Sequence, residues 1–174
     1  MKYFVKIIVV TFFLLICTYT FAEQKIVILD LTHVLNKSKA GKGAQDFLKK
    51  SFNDNVKKFS DMEKELKKEE NDLLTKKTIL SKEEYSKKSD KLRKKVIDYQ
   101  SQRRAAIDKI ATQRAESKET LMQNVEPILE TYIKGNDISL VVDKKNTLGG
   151  NPENDITKII VEKLNKTLPS LNLK

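Results

Sequence analysis

Between Ala44 and Glu126 the chain runs for 83 residues without a glycine or a proline. The stretch is filled with Lys, Glu, Gln, Leu and Ala, which favour helix, and lacks the two residue types that most readily stop one. As a single helix it would exceed roughly 120 Å at about 1.5 Å per residue. A fold-back is therefore the expected form. One turn signal lies inside the stretch, where Ser81 stands three residues before Glu84. That is the spacing of a capping box, in which the serine oxygen accepts from the third helical amide. The sequence predicts a first arm helix over 44–80 and a second over 81–134, turning near 78–84.

Periodicity agrees with a hairpin. In the first arm Leu48, Phe52, Phe59, Met62, Leu66, Leu73 and Leu80 follow an alternating four-three spacing, with Asn55, Glu69 and Lys76 at the remaining seam positions. In the second, Tyr85, Leu92, Val96, Tyr99, Ala106 and Ile110 do the same, diluted by Ser89 and Arg103. A seam so often polar packs more weakly than a full heptad coil. The arms are expected to bend.

The two arms differ in charge. Residues 44–80 carry nine Lys and eight acids, whereas residues 82–118 carry twelve Lys or Arg against six acids. Asp54/Lys58, Glu63/Lys67, Glu84/Lys88 and Asp90/Lys94 stand at the favourable i,i+4 spacing, so much of the charge is a solvated helix surface. The basic excess on the second arm singles out Lys87, Lys88, Lys91, Arg93, Lys94 and Lys95 as contact residues. Their expected partner is an acidic client or an anionic surface, such as membrane lipid or lipopolysaccharide.

Strand-like segments flank the arms. Residues 25–31 and Ile138–Asp143 are β-branched runs, and Lys144 to Leu148 reads as a third strand before a Gly149-Gly150 loop. Gly41 and Gly43 are expected to interrupt a helical pattern that begins at His33, and Pro127 to kink or restart the second arm. Asp155 or Asn154 would cap a last helix with Ile156, Ile159, Ile160 and Leu164 on its apolar face. The expected fold class is α+β: a small β-rich body from residues 23–43 and 127–174, carrying a protruding helical hairpin over 44–126. With so few strands the body cannot bury itself alone, and Ile26, Ile28, Ile138, Leu140 and Val142 are expected to form a core shared between copies.

The first segment speaks to compartment. Lys2 and Lys6 precede an apolar run from Ile7 to Cys17, and a more polar stretch ends at Ala22. This is the order of a secretory signal peptide, with cleavage expected after Ala22. Ile16 before Cys17 does not suit lipidation. Without this segment the chain has no cysteine, and its 32 basic and 24 acidic residues leave a net charge of +8.

Little here supports catalysis. His33 is the only histidine, which excludes a histidine-based triad or multi-histidine metal site within one subunit. Gly41-Lys42-Gly43 lacks the spacing of a phosphate-binding loop. The carboxylates sit among lysines, where nothing would raise their pKa towards catalytic use. No enzyme, cofactor or metal is expected.

Ile26-Val27-Ile28-Leu29-Asp30-Leu31, Val34 to Lys42, Ile138 to Lys144, and Asn154-Asp155-Ile156-Thr157 with Val161 to Asn165 together resemble the Skp/OmpH family of periplasmic chaperones. The resemblance spans the chain after residue 22. It implies a homotrimer whose three hairpin arms enclose a cavity and hold unfolded outer-membrane proteins without ATP. The chain departs at Leu148-Gly149, where many relatives carry an aromatic. Two other classes compete. A membrane-anchored coiled-coil stalk would need residues 3–22 retained and the terminal strands unpaired. A non-specific polyanion or nucleic-acid binder is suggested only by charge, without a docking motif or stacking aromatics.

Overall fold

The computed structural model describes residues 24–173. The leader read over residues 1–22 and its cleavage point lie outside the described residues. In chain order the elements are β1 (Lys25–Leu29), α1 (Leu31–Lys37), α2 (Lys39–Thr75), α3 (Lys82–Gly135), β2 (Ile138–Asp143) and α4 (Thr157–Thr167). Short 3-10 turns occupy Lys144–Asn146 and Pro152–Asn154. The long helices α2 and α3 pack against each other as the hairpin, and their roots enter a small body.

β1 and β2 pair in parallel, with Ile26 opposite Leu140 and Ile28 opposite Val142. Their inner face joins α1, α4 and the end of α3 around a core that includes Val27, Leu29, Val34, Val125, Ile160 and Leu164. The body is thus more helical than the sequence suggests, with a two-stranded sheet among the described residues. The expected third strand is instead a turn. Asp143 accepts from the Lys145 amide and the Thr147 hydroxyl donates to the Lys144 carbonyl, so local side chains satisfy the backbone that a strand partner would otherwise serve.

Three further differences have physical causes. α2 begins at Lys39 and runs through both Gly41 and Gly43. Buried Ser38 caps it by accepting from the Gly41 amide at 3.1 Å, while the Lys39 amide donates to Asn165 of α4 at 2.6 Å. At Gly41 α2 lies directly against α1: a Cβ there would stand 1.8 Å from the Leu35 carbonyl oxygen. α3 likewise continues through Pro127, which lies on its exposed side. Proline there removes one helical bond, at a cost of about 3 kcal/mol relative to Ala, and burial of Leu121 and Val125 on the opposite face outweighs it. At the far end of the chain, α4 begins at Thr157 with Ile156 at the N-cap and no side-chain cap bond, so neither Asp155 nor Asn154 takes the capping position; Asp155 instead accepts from the Thr157 amide in the turn before the helix. Ile156, Ile160 and Leu164 are buried, but Ile159 faces solvent.

Ile138 also departs from expectation. A register irregularity between Lys25 and Ile26 sets Ile138 opposite Lys25 but Leu140 opposite Ile26, leaving Ser139 as an extra residue. Such a bulge reverses the alternation of faces. Ile138 therefore turns into the chain's own core, whereas Ile26 and Leu140 lie exposed on the other face with half-buried Ile28 and Val142.

Candidate functional site

The arm surface is built from the turn inward. α2 ends at Thr75, five residues earlier than the periodicity suggests, and Ile79 and Leu80 both donate to the Lys76 carbonyl in the turn that follows. Ser81 then opens α3 with the complete capping box: its hydroxyl accepts from the Glu84 amide and the Glu84 carboxylate accepts from the Ser81 amide. Hydrogen bonds from the Ser81 side chain and then its backbone hold the Glu84 carboxyl below its ordinary range. A carboxylate turned back into the cap is not available to Lys88, and the i,i+4 pair read there does not form a salt bridge. Glu63 and Lys67 do pair, at 2.8 Å. Asp90 pairs with Arg93 rather than Lys94, and Lys58 reaches across to Gln102 of the other arm.

The six basic residues singled out on α3 do not form one site. Lys88, Lys91 and Lys95 line a shallow groove between the arms with Lys76, Glu69 and Asp72. Lys95 is tied to Glu69, an ion pair that bridges the arms. Arg93 lines a groove on the opposite flank with Lys67 and Glu70. Lys87 pairs with Glu83, and neither Lys87 nor Lys94 lines these grooves. Lys88, Lys91 and Lys94 make no salt bridge among the described residues, which leaves them the most available of the six to a partner.

An apolar surface nearer the body is not apparent from a strict heptad. Burial along α2 recurs at 48, 51, 55, 59, 62, 66, 69 and 73, and along α3 at 92, 96, 99, 102, 106 and 110. Both helices thus take two successive steps of four in the same region, over 51–59 and 102–110. Extra four-residue steps unwind a coil locally. The two helices are cross-linked there by the edge-on contact of Phe59 with Tyr99, ring centres 6.0 Å apart. The register slip turns Phe52 out of the seam to 54% exposure and replaces Arg103 with Gln102 inside it. Phe52, Val56 and Ile107 are all exposed at a groove of about 290 Å³ floored by Phe59 and Ile110 and bordered by Glu63 and Arg103. The signal that could have found this surface was the pair of four-residue steps. It was hidden because Phe52 looks like an ideal seam residue.

Residues 25–164 match the family model described as outer membrane protein (OmpH-like). The chain belongs to the OmpH family. Its fold is also that of a solved structure, a candidate outer-membrane chaperone (OmpH-like) from Caulobacter crescentus CB15, with a TM-score of 0.80 at 18% identity over 88% of this chain and 90% of that one. At that identity the likeness is one of fold. No curated protein is significantly similar in sequence. Among the described residues no group of three or more His, Cys, Asp or Glu could hold a metal ion, and no helix is long and apolar enough to cross a membrane. The stalk reading required unpaired terminal strands, and β1 and β2 are paired.

Proposed function

We propose that this OmpH-family chain is an ATP-independent holdase of the periplasm that captures unfolded outer-membrane proteins between its arms. The observation that carries this reading is the exposed apolar strip of Phe52, Val56 and Ile107 at the root of an arm whose outer part is rich in lysine. A long-range cationic field speeds encounter with an acidic unfolded chain, and shallow apolar contacts then retain it without demanding a particular sequence. Three copies would enclose the client, joined through the open face of Ile26, Ile28, Leu140 and Val142, an apolar surface on an otherwise charged protein. The export this reading requires would be served by the basic and apolar segment ending at Ala22.

Capture from denaturant, followed by stopped flow at several ionic strengths, tests the mechanism. Replacing Lys87, Lys88, Lys91, Arg93, Lys94 and Lys95 by Glu should slow association with an acidic unfolded barrel and flatten its salt dependence. Replacing Phe52, Val56 and Ile107 by Ser should instead raise the dissociation rate, and added ATP should change neither. Salt-insensitive association by the unaltered protein would refute the electrostatic part. Ile28→Asp or Leu140→Asp should dissociate the trimer while leaving arm helicity, and a native monomer in sedimentation would remove the enclosure. A mature N-terminus other than Glu23 would contradict the proposed cleavage.

A further inference from the structure

Next to the body, α1, α2 and α3 converge on a groove of about 340 Å³ that shares no residue with the apolar strip at Phe52. Small residues leave the space open, with Gly41 and Ala44 of α2 and Ser117 of α3 standing where larger side chains would fill it. Its apolar floor comes from Leu35, Leu48 and Leu121. No carboxylate lines it, whereas Arg114 and Lys118 of α3 both do. The grooves farther out set acids beside their cations: Glu63 stands with Arg103, and Glu69 and Asp72 with Lys88 and Lys91.

Arg114 and Lys118 are one helical turn apart, a like-charge spacing that works against a bare helix. Neither has an acid three or four residues away, and neither makes a salt bridge among the described residues. The charge on this rim is uncompensated. A polar pair stands on the α1 and α2 side. Gln45 Nε2 donates to Asn36 Oδ1 at 2.9 Å, which leaves the Asn36 amide nitrogen as a donor and the Gln45 oxygen as an acceptor. A donor and an acceptor are what a peptide group requires.

An apolar floor, a positive rim and an amide pair together fit the end of a polypeptide. Along an extended chain adjacent side chains point to opposite faces, so an apolar side chain and an acidic neighbour diverge. Only the last residue carries a carboxylate and an apolar side chain on the same Cα. A fatty acid would match the floor and the rim but leave the amide pair unused. We infer that this groove receives the C-terminal residue of an unfolded client. Its apolar side chain lies on the floor, its free carboxylate meets Arg114 and Lys118, and the preceding peptide group meets Asn36 and Gln45. The inference rests on the holdase reading and adds to it a place where the chain end is held.

Fluorescence anisotropy with a short labelled peptide of alternating Thr and Tyr ending in Phe tests this on the intact protein. Amidating the terminus should weaken binding roughly ten-fold, as for the loss of one charge-assisted contact. Arg114→Gln combined with Lys118→Gln should bind the acid and the amide alike. The variant with Phe52, Val56 and Ile107 replaced by Ser should keep the preference for the acid. The inference is overturned if the unaltered protein binds both forms equally, if the preference survives loss of Arg114 and Lys118, or if it is lost with the Phe52 strip. It also falls if an amidated peptide with an internal Asp binds as tightly as the acid, or if laurate displaces the labelled peptide at lower concentration than unlabelled peptide does. Failure of the holdase reading would show separately, as no capture of any unfolded barrel. Captured barrels with no preference for a free terminus would overturn the groove assignment alone.

Discussion

Gly41 and Gly43 lie two residues apart in the same helix, yet the same substitution should have opposite effects at the two positions. A Cβ at Gly41 would come within 1.8 Å of the Leu35 oxygen, 2.9 Å of its carbonyl carbon and 2.9 Å of the Ser38 hydroxyl. The first two of these atoms are backbone, so no rotamer change can relieve the overlap. α1 and α2 must separate. Separation strains the Ser38 cap and the Lys39–Asn165 hydrogen bond, each worth about 1 kcal/mol, and overpacking adds about 1–3 kcal/mol. Against this, alanine gains at most about 1 kcal/mol of helix propensity. Gly41→Ala should therefore destabilise the protein by about 2–4 kcal/mol. Gly43 has nothing within 4 Å of the added carbon, so Gly43→Ala should stabilise by about 0.5–1 kcal/mol. Urea unfolding followed by ellipticity at 222 nm, at one fixed protein concentration, compares the two. If Gly41→Ala lies within about 0.5 kcal/mol of the parent, or the two variants lose equally, the close approach of α1 and α2 is not what requires glycine there.

Asp155 accepts from Lys144 at 2.7 Å and from the Thr157 amide at 3.0 Å; burial works against its charge, but these bonds prevail and hold its pKa down to about 2. Because the folded value lies below the ordinary 3.8, its contribution is complete above about pH 4 and is lost as pH falls towards 2. With solvent screening, Asp155→Asn should cost roughly 1 kcal/mol at pH 7, and the difference from the parent should shrink in urea titrations repeated down to pH 2. Asp137 follows α3 with φ of 52°, a left-handed conformation that glycine adopts more readily, so Asp137→Gly should raise the urea midpoint by an amount equivalent to about 1 kcal/mol or less. Ile160 is fully buried in the body, and Ile160→Ala should cost about 2–5 kcal/mol in the same measurement.

The hairpin was legible because its signals are local and mutually consistent: a long run without helix breakers, a four-three periodicity and the Ser81–Glu84 box. The body was legible only in part. Whether Gly41 interrupts a helix or permits one depends on Leu35 lying against it, a tertiary contact that no local pattern records. Pro127 is tolerated for a similar reason, since the packing of Val125 and Leu121 against distant elements outweighs a local penalty. Ile138 was placed on the wrong face because a bulge is a property of strand pairing and leaves Ile138, Leu140 and Val142 looking like a regular alternation. At the arm surface, the type of residue was readable but its engagement was not. Lysines of equal appearance differ according to which carboxylates are already occupied, as Glu69 is by Lys95 and Asp90 by Arg93.

The parallel pairing of β1 with β2 also sets the order in which this chain can fold. The two strands are separated by roughly 110 residues, and closing so long a flexible loop carries a large entropy cost before any body contact can form. Zipping α2 against α3 needs only neighbouring turns to meet, starting from the capped turn at Ser81, and each turn added brings the two roots nearer. The hairpin is thus a splint that delivers β1 to β2. Until it has closed, β1 has no strand partner and its inner residues Val27 and Leu29 have no core, so the nascent protein briefly presents the kind of exposed apolar strand that it is proposed to shield in others.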